Sequence, residues 1–162
     1  MTADTPSSRC EYYRRTCHLP ATVDPNTGRI SVRAGLVWAI ELPAALAQMV
    51  KMDLDRRQHG GGPIISHPRD ARWTFLVRSD IPARVAARDM PLWRNRVKIL
   101  REGDDITLPS PSDRGHFYRA WITPAHSSFR PSGLAVLDSI RVCLNACARA
   151  DATTRTYAYA YA

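Results

Sequence analysis

The sequence predicts an α+β fold in which two helices cover one face of four antiparallel strands, in the order strand, helix, strand, strand, helix, strand (βαββαβ). This is the split βαβ pattern of ferredoxin-like and RNA-recognition-type (RRM-like) sheets. Three observations carry it. Leu36 to Leu42, LVWAIEL, is the strongest strand candidate. Gly60 to Val77 reads as a hairpin, with Ile64, Ile65 and Ser66 and then Trp73 to Val77 forming β-favouring runs separated by His67 to Asp70. Helical stretches follow the first strand and the hairpin.

The elements fall in order along the chain. Met1 to Ser8 is polar and reads as a disordered tail, so that the folded domain starts at Arg9. Arg9 to His18 predicts about two helical turns, which Leu19 and Pro20 end. Ala21 to Asp24 and Arg29 to Arg33 flank Pro25, Asn26, Thr27 and Gly28, a hairpin signal. Pro43 suits the start of a helix running to about Arg57. In that helix Leu46, Met49, Val50 and Leu54 recur at helical spacing, and Asp53, Asp55, Arg56 and Arg57 lie mainly on the other side.

After the hairpin, Pro82 to about Arg96 predicts a second helix with a break at Pro91. Val97 to Leu100 and Asp105 to Leu108 give strands around the acidic turn Arg101 to Asp104, and Arg119 to Thr123 is a further edge strand. A last helix begins near Pro131 or Ser132, with Leu134, Leu137, Ile140, Leu144 and Cys147 on one stripe, and ends about Ala150. Asp151 to Ala162, with its alternating Tyr and Ala, reads as a second disordered tail. Residues 9–150 are thus one domain, large enough to bury a core without staples.

The formal charge is +8 and the sequence pI about 9.9, which favours an anionic partner. Only Lys51 and Lys98 are lysines. An arginine-, alanine- and proline-rich chain is also what GC-rich coding produces, so charge supports a nucleic-acid partner without selecting it. MTADTPSSRC lacks a secretory layout, and the apolar stretch from Gly35 to Val50 is interrupted by Glu41 and Pro43. The expectation is a cytoplasmic protein without membrane contact.

Three runs, VWAIELP, GGPIISHPRDARWTFLV and VKILREGDDITLPSPSDRG, resemble the carboxyl-terminal half of the bifunctional DNA primase/polymerase domain of the archaeo-eukaryotic primase group, in its actinobacterial form. The resemblance covers about residues 35–125. It implies an RRM-like sheet whose open face carries an acidic pair on the first strand, a histidine from the hairpin and an acid on the last strand. These positions fall on Ala39 and Glu41, on Trp73 and near Lys98. Three of the four polar functions are then missing, and two-metal nucleotidyl transfer loses its carboxylates. The family's amino-terminal half has no room before residue 35. A slip in register would bring in His67 or Asp70 and keep a metal-dependent nucleotidyltransferase as the alternative.

By alternation, Val37, Ala39 and Glu41 share one face of their strand, and Trp73, Phe75 and Val77 share one face of theirs. The resemblance makes both the open face. Such an apolar patch needs a cover: the segment 10–33, a second copy in a homodimer, or a partner.

The expected nucleic-acid-binding residues are Trp73 and Phe75 as base-stacking platforms with Arg72 and Arg78 beside them, and the basic cluster Arg94, Arg96, Lys98 and Arg101 next to Trp93. Packing under the amino-terminal segment competes for the two aromatics, and a solvated face competes for the cluster. Cys10 with Cys17 and Cys143 with Cys147 each lie on one helix face. Two such faces meeting would hold zinc, although neither spacing is a knuckle, and buried thiols are the default. The five histidines have no nucleophile partner at a motif spacing, and Gly60 to Gly62 is followed by no Gly-Lys-Ser/Thr, so no catalytic residue, metal or cofactor is assigned. The reading is a non-catalytic module that binds nucleic acid or a replication or transcription protein. A nucleotidyltransferase using Glu41 and His67, or a protein-interaction scaffold with incidental charge, are its alternatives.

Overall fold

Two antiparallel sheets organise the chain in the computed structural model, which describes residues 4–88 and 90–160. The elements are α1 (Pro6–Arg15), β1 (Ala21–Val23), β2 (Ile30–Arg33), β3 (Val37–Pro43), α2 (Ala44–Arg56), β4 (Ile64–His67), β5 (Arg72–Arg78), α3 (Ala83–Arg88), α4 (Met90–Arg94), β6 (Lys98–Leu100), β7 (Asp105–Leu108), β8 (Ala120–Thr123) and α5 (Gly133–Ala160). The larger sheet has the order β6-β3-β5-β4-β8 and the smaller the order β1-β2-β7. The α+β class and the edge position of β8 are as expected.

The strands β6 and β7 do not form a hairpin with each other. β6 pairs with β3, and β7 pairs with β2. The chain therefore bends twice side by side, at 34–36 between β2 and β3 and at 101–104 between β6 and β7. Ala34 N donates to the Asp104 carbonyl at 2.8 Å and Gly103 N to the Ala34 carbonyl at 3.0 Å, which holds the two bends together. Gly103 has φ 92, a conformation that glycine adopts without a Cβ penalty. The smaller sheet is thereby folded over one face of the larger.

Burial follows from that arrangement. On one side of the large sheet, Ile40, Leu42, Phe75 and Val77 pack on Ala47, Val50 and Leu54 of α2 and on Val136, Leu137 and Ile140 of α5. On the other, Val37, Ala39 and Leu76 pack under Ile30, Val32, Ile106 and Leu108 of the small sheet and Tyr13 of α1. Register corrects the expected faces: Ile40 pairs with Phe75, and Glu41 pairs with Thr74. Phe75 therefore shares a face with Ile40, not with Ala39, since directly opposed residues point the same way. The face offered to a homodimer is occupied by α1, β1, β2 and β7. The amino-terminal segment is thus part of the cover, joined by β7.

Three boundaries and one orientation differ from expectation. α1 starts at Pro6, inside the segment read as a tail, because Thr5 and Ser8 form a reciprocal capping box and Pro6 opens the first turn. Two short helices, α3 and α4, replace one, and α4 contains Pro91. α5 continues beyond Ala150 to Ala160, through an alanine-rich stretch in which Thr153 Oγ1 donates to the Arg149 carbonyl at 3.0 Å; residues 161 and 162 of the expected tail, like 1–3 of the other, lie outside the described residues.

The orientation concerns Asp53, which points inward. Ser139 Oγ of α5 donates to its Oδ2 at 2.6 Å, and Arg56 and Arg57 reach its two oxygens at 3.1 and 3.0 Å. The serine bond, followed by the arginine charges, holds this carboxyl below the usual range against the opposing effect of burial. Asp53→Ala is expected to cost about 2 kcal/mol and Ser139→Ala about 1 kcal/mol in urea unfolding, as removal of a charge-assisted bond between packed helices. Because the folded pKa is depressed, this contribution is present above the ordinary carboxylate pKa and fades as pH falls through the folded value.

Candidate nucleic-acid interface

The basic cluster runs through the edge strand of the large sheet, with Trp93 and Arg94 at the end of α4, Arg96 in the turn after it, Lys98 in β6 and Arg101 just beyond. β6 has β3 as its neighbour on one side and ends the sheet on the other. Leu92 and Val97 are both buried and are linked by Val97 N donating to the Leu92 carbonyl at 3.0 Å. The four residues between them are forced outward. Trp93 is 75 % exposed, and Arg94, Arg96, Lys98 and Arg101 are all exposed. Among the described residues none of these four cations has a carboxylate partner within an ion-pair distance. The structure thus leaves Trp93, Arg94, Arg96, Lys98 and Arg101 exposed along one continuous segment.

Arg72 belongs to the support of this edge. Its Nε donates to the Glu41 carboxylate, its Nη2 donates to the Glu41 carbonyl at 3.2 Å, and the same nitrogen reaches the Arg96 carbonyl at 2.7 Å. Arg96 has φ 60, so its carbonyl is held in a left-handed turn that the Arg72 fork fixes. Arg72 is a clamp between β5, β3 and the basic edge.

The other expected contacts are not at this edge. Phe75 is 2 % exposed and sits under α2 and α5. Trp73 is half-buried against the same core. Arg78 lies at the opposite end of β5 from Arg72, about 20 Å away at strand rise, and is within 3.7 Å of Asp80. A strand covered on both faces carries no polar alternation, so the run WTFLV did not disclose which side was wet.

Glu41, His67 and Asp70 line one small polar pocket, of about 190 Å³, together with Thr74, Asp105, Thr107 and Arg119. His67 Nε2 is hydrogen-bonded to Thr74 Oγ1 at 2.9 Å. Burial, then the positive charge of Arg119, pulls the His67 pKa down to about 4, against the carboxylates of Glu41 and Asp70. Arg119 lies 3.9 Å from Asp70, and its Nε is buried without a hydrogen-bond partner. Thr74 was legible only through register with Glu41, and Arg119 had no sequence signal beyond its charge. Arg130, equally scattered in sequence, is buried and donates to the carbonyls of Cys17, Ser127 and Phe129 at 2.5, 2.9 and 2.7 Å.

Among the described residues no three His, Cys, Asp or Glu side chains converge as a metal site. The two cysteine pairs lie on opposite sides of the large sheet, Cys10 and Cys17 in one core and Cys143 in the other. A four-thiolate zinc site is therefore not assembled; helical spacing sets one face but not which faces meet. No helix among the described residues is long and apolar enough to cross a membrane. Comparison with protein-family models, curated proteins and solved structures finds no match to this chain.

Proposed function

We propose that this chain is a non-catalytic binding module that engages nucleic acid along the edge formed by Trp93, Arg94, Arg96, Lys98 and Arg101. One observation carries the reading: an exposed indole and four exposed cations follow one another over residues 93–101, from the end of α4 through the edge strand β6, and among the described residues no ion pair engages those cations. Arginines and a lysine at that spacing track phosphates, and the indole offers a stacking face to an unpaired base. The ferredoxin-like reading is supported by the order β6-β3-β5-β4, with α2 and α3–α4 in the two crossover connections. That order is also what the resemblance to a primase/polymerase half-domain calls for, with β8 and the small sheet as additions.

The test is anisotropy of labelled single-stranded and duplex oligonucleotides. Affinity is expected to fall with salt at a logarithmic slope of about −3 for four phosphate contacts on a single strand. Trp93→Ala is expected to weaken single-strand binding by about 1–3 kcal/mol, roughly 5- to 150-fold, and Lys98→Ala to flatten the slope by about 0.7. Absence of binding at low salt sinks the reading and leaves the protein-interaction scaffold.

A metal-dependent nucleotidyltransferase is favoured by one observation, that Glu41, His67 and Asp70 share a pocket. Arg72 on the Glu41 carboxylate weighs against it. Incorporation of labelled nucleotide with magnesium or manganese, lost in Glu41→Ala, would replace the binding reading.

A further inference from the structure

The groove between α2 and α5 carries sulfur chemistry that the binding edge does not use. Met49 and Met52 of α2 and Cys143 of α5 line a cavity of about 510 Å³, whose wall also carries Asp53, Asp55 and Arg56. One helical turn beyond Cys143, the exposed Cys147 places its Sγ 3.9 Å from Met49 Sδ. Residues i and i+4 stand about 5–6 Å apart at Cβ on one helix face, so Cys147 and Cys143 lie on the side of α5 that faces Met49, with Cys143 on the same cavity wall as that methionine.

We propose that Met49, Cys143 and Cys147 form a binding site for a soft monovalent d¹⁰ cation, Cu(I) in the first instance. Three sulfurs around one ion at about 2.3 Å in trigonal array stand about 4.0 Å apart, and the Met49–Cys147 separation of 3.9 Å matches that edge. The donor set selects the ion. Two thiolates and a thioether suit Cu(I), whereas zinc asks for a fourth ligand and calcium or magnesium for oxygen. The two carboxylates on the cavity wall are already held, Asp53 by Ser139, Arg56 and Arg57 and Asp55 by Lys51. On binding, each thiol releases its proton to solvent. The resulting complex has one net negative charge; of the charged groups on the cavity wall, Arg56 is paired with Asp53, and Asp55 with Lys51. Both helices already pack on the large sheet, so before any ion arrives Met49 and Cys143 line one cavity and Cys147 stands beside Met49.

Anaerobic titration of the full reduced chain with Cu(I), in competition with a chromophoric Cu(I) chelator, tests the site. One equivalent is expected to be withdrawn from the chelator. Met49→Leu conserves volume and Cys147→Ser is exposed, so both variants should fold, which circular dichroism checks. Retention is expected to drop at least tenfold in each. Cu(I) is also expected to protect Cys147 from iodoacetamide, while an equal amount of Zn(II) does not. Failure to compete with the chelator overturns the proposal, as does retention unchanged in Cys147→Ser. Loss in Cys147→Ser with none in Met49→Leu overturns the three-sulfur assignment.

Discussion

Phe75→Ala is expected to destabilise the protein by about 4 kcal/mol, read as a drop in urea midpoint at unchanged slope. The ring is 2 % exposed, stands between Ile40 and Ile64 in the ladder, and lies under both α2 and α5. Truncation removes its transfer free energy and leaves a cavity between two layers that the sheet holds at fixed spacing. For a domain of this size the loss is a large share of the whole stability. The experiment also separates two roles. A base-stacking Phe75 would leave stability intact and weaken oligonucleotide affinity, whereas the packed ring gives the reverse. A midpoint change equivalent to less than about 1 kcal/mol would place Phe75 outside the core.

Acid sensitivity is the second large effect. His67 is neutral in the fold because burial and Arg119 hold its pKa at about 4, against 6.5 unperturbed. The unfolded chain therefore takes up a proton that the folded chain refuses between those values. The contribution is fully present above pH 6.5, declines as pH falls toward about 4, and is gone below it. Its size is on the order of 2 kcal/mol once screening at the pocket mouth is allowed for. His67→Gln conserves a polar atom for Thr74 and removes the titration. The difference in unfolding free energy between wild type and His67→Gln, followed from pH 7.5 to 4, is expected to change by that amount. A pH-independent difference would mean that His67 protonates freely in the fold.

Much of the local structure was legible, because most strands are bounded by punctuation and α2 and the first part of α5 carry an apolar stripe, whereas the start of α1 and the end of α5 lie in stretches without one. The hairpin Ile64 to Arg78, the edge strand at Ala120 and the exposure of Arg94, Arg96, Lys98 and Arg101 follow from residue type alone. What was hidden depends on partners distant in sequence. Period-two alternation groups Trp73, Phe75 and Val77 but is silent on whether they lie beside Ala39 or beside Ile40. That choice sent the aromatics to the helices and left Thr74 with Glu41 in the polar pocket. Asp53 reads as a surface charge until Ser139, 86 residues away, supplies its partner. The pairing of β2 with β7 had no local signal at all.

That last pairing has a consequence for the order of assembly. Arg33 and Asp105 face each other across 72 residues of chain, and closing so long a loop in a free chain is entropically expensive. Once β3 and β6 have zipped, with Ala39 opposite Leu100, only a few residues on each strand separate β2 from β7. The small sheet is then a clasp whose two halves are delivered by the finished central unit, so its closure is nearly local. Any lesion that delays the β3–β6 contact leaves the clasp open and the apolar undersides of Ile30, Val32, Ile106 and Leu108 in water, the state from which a chain like this would aggregate.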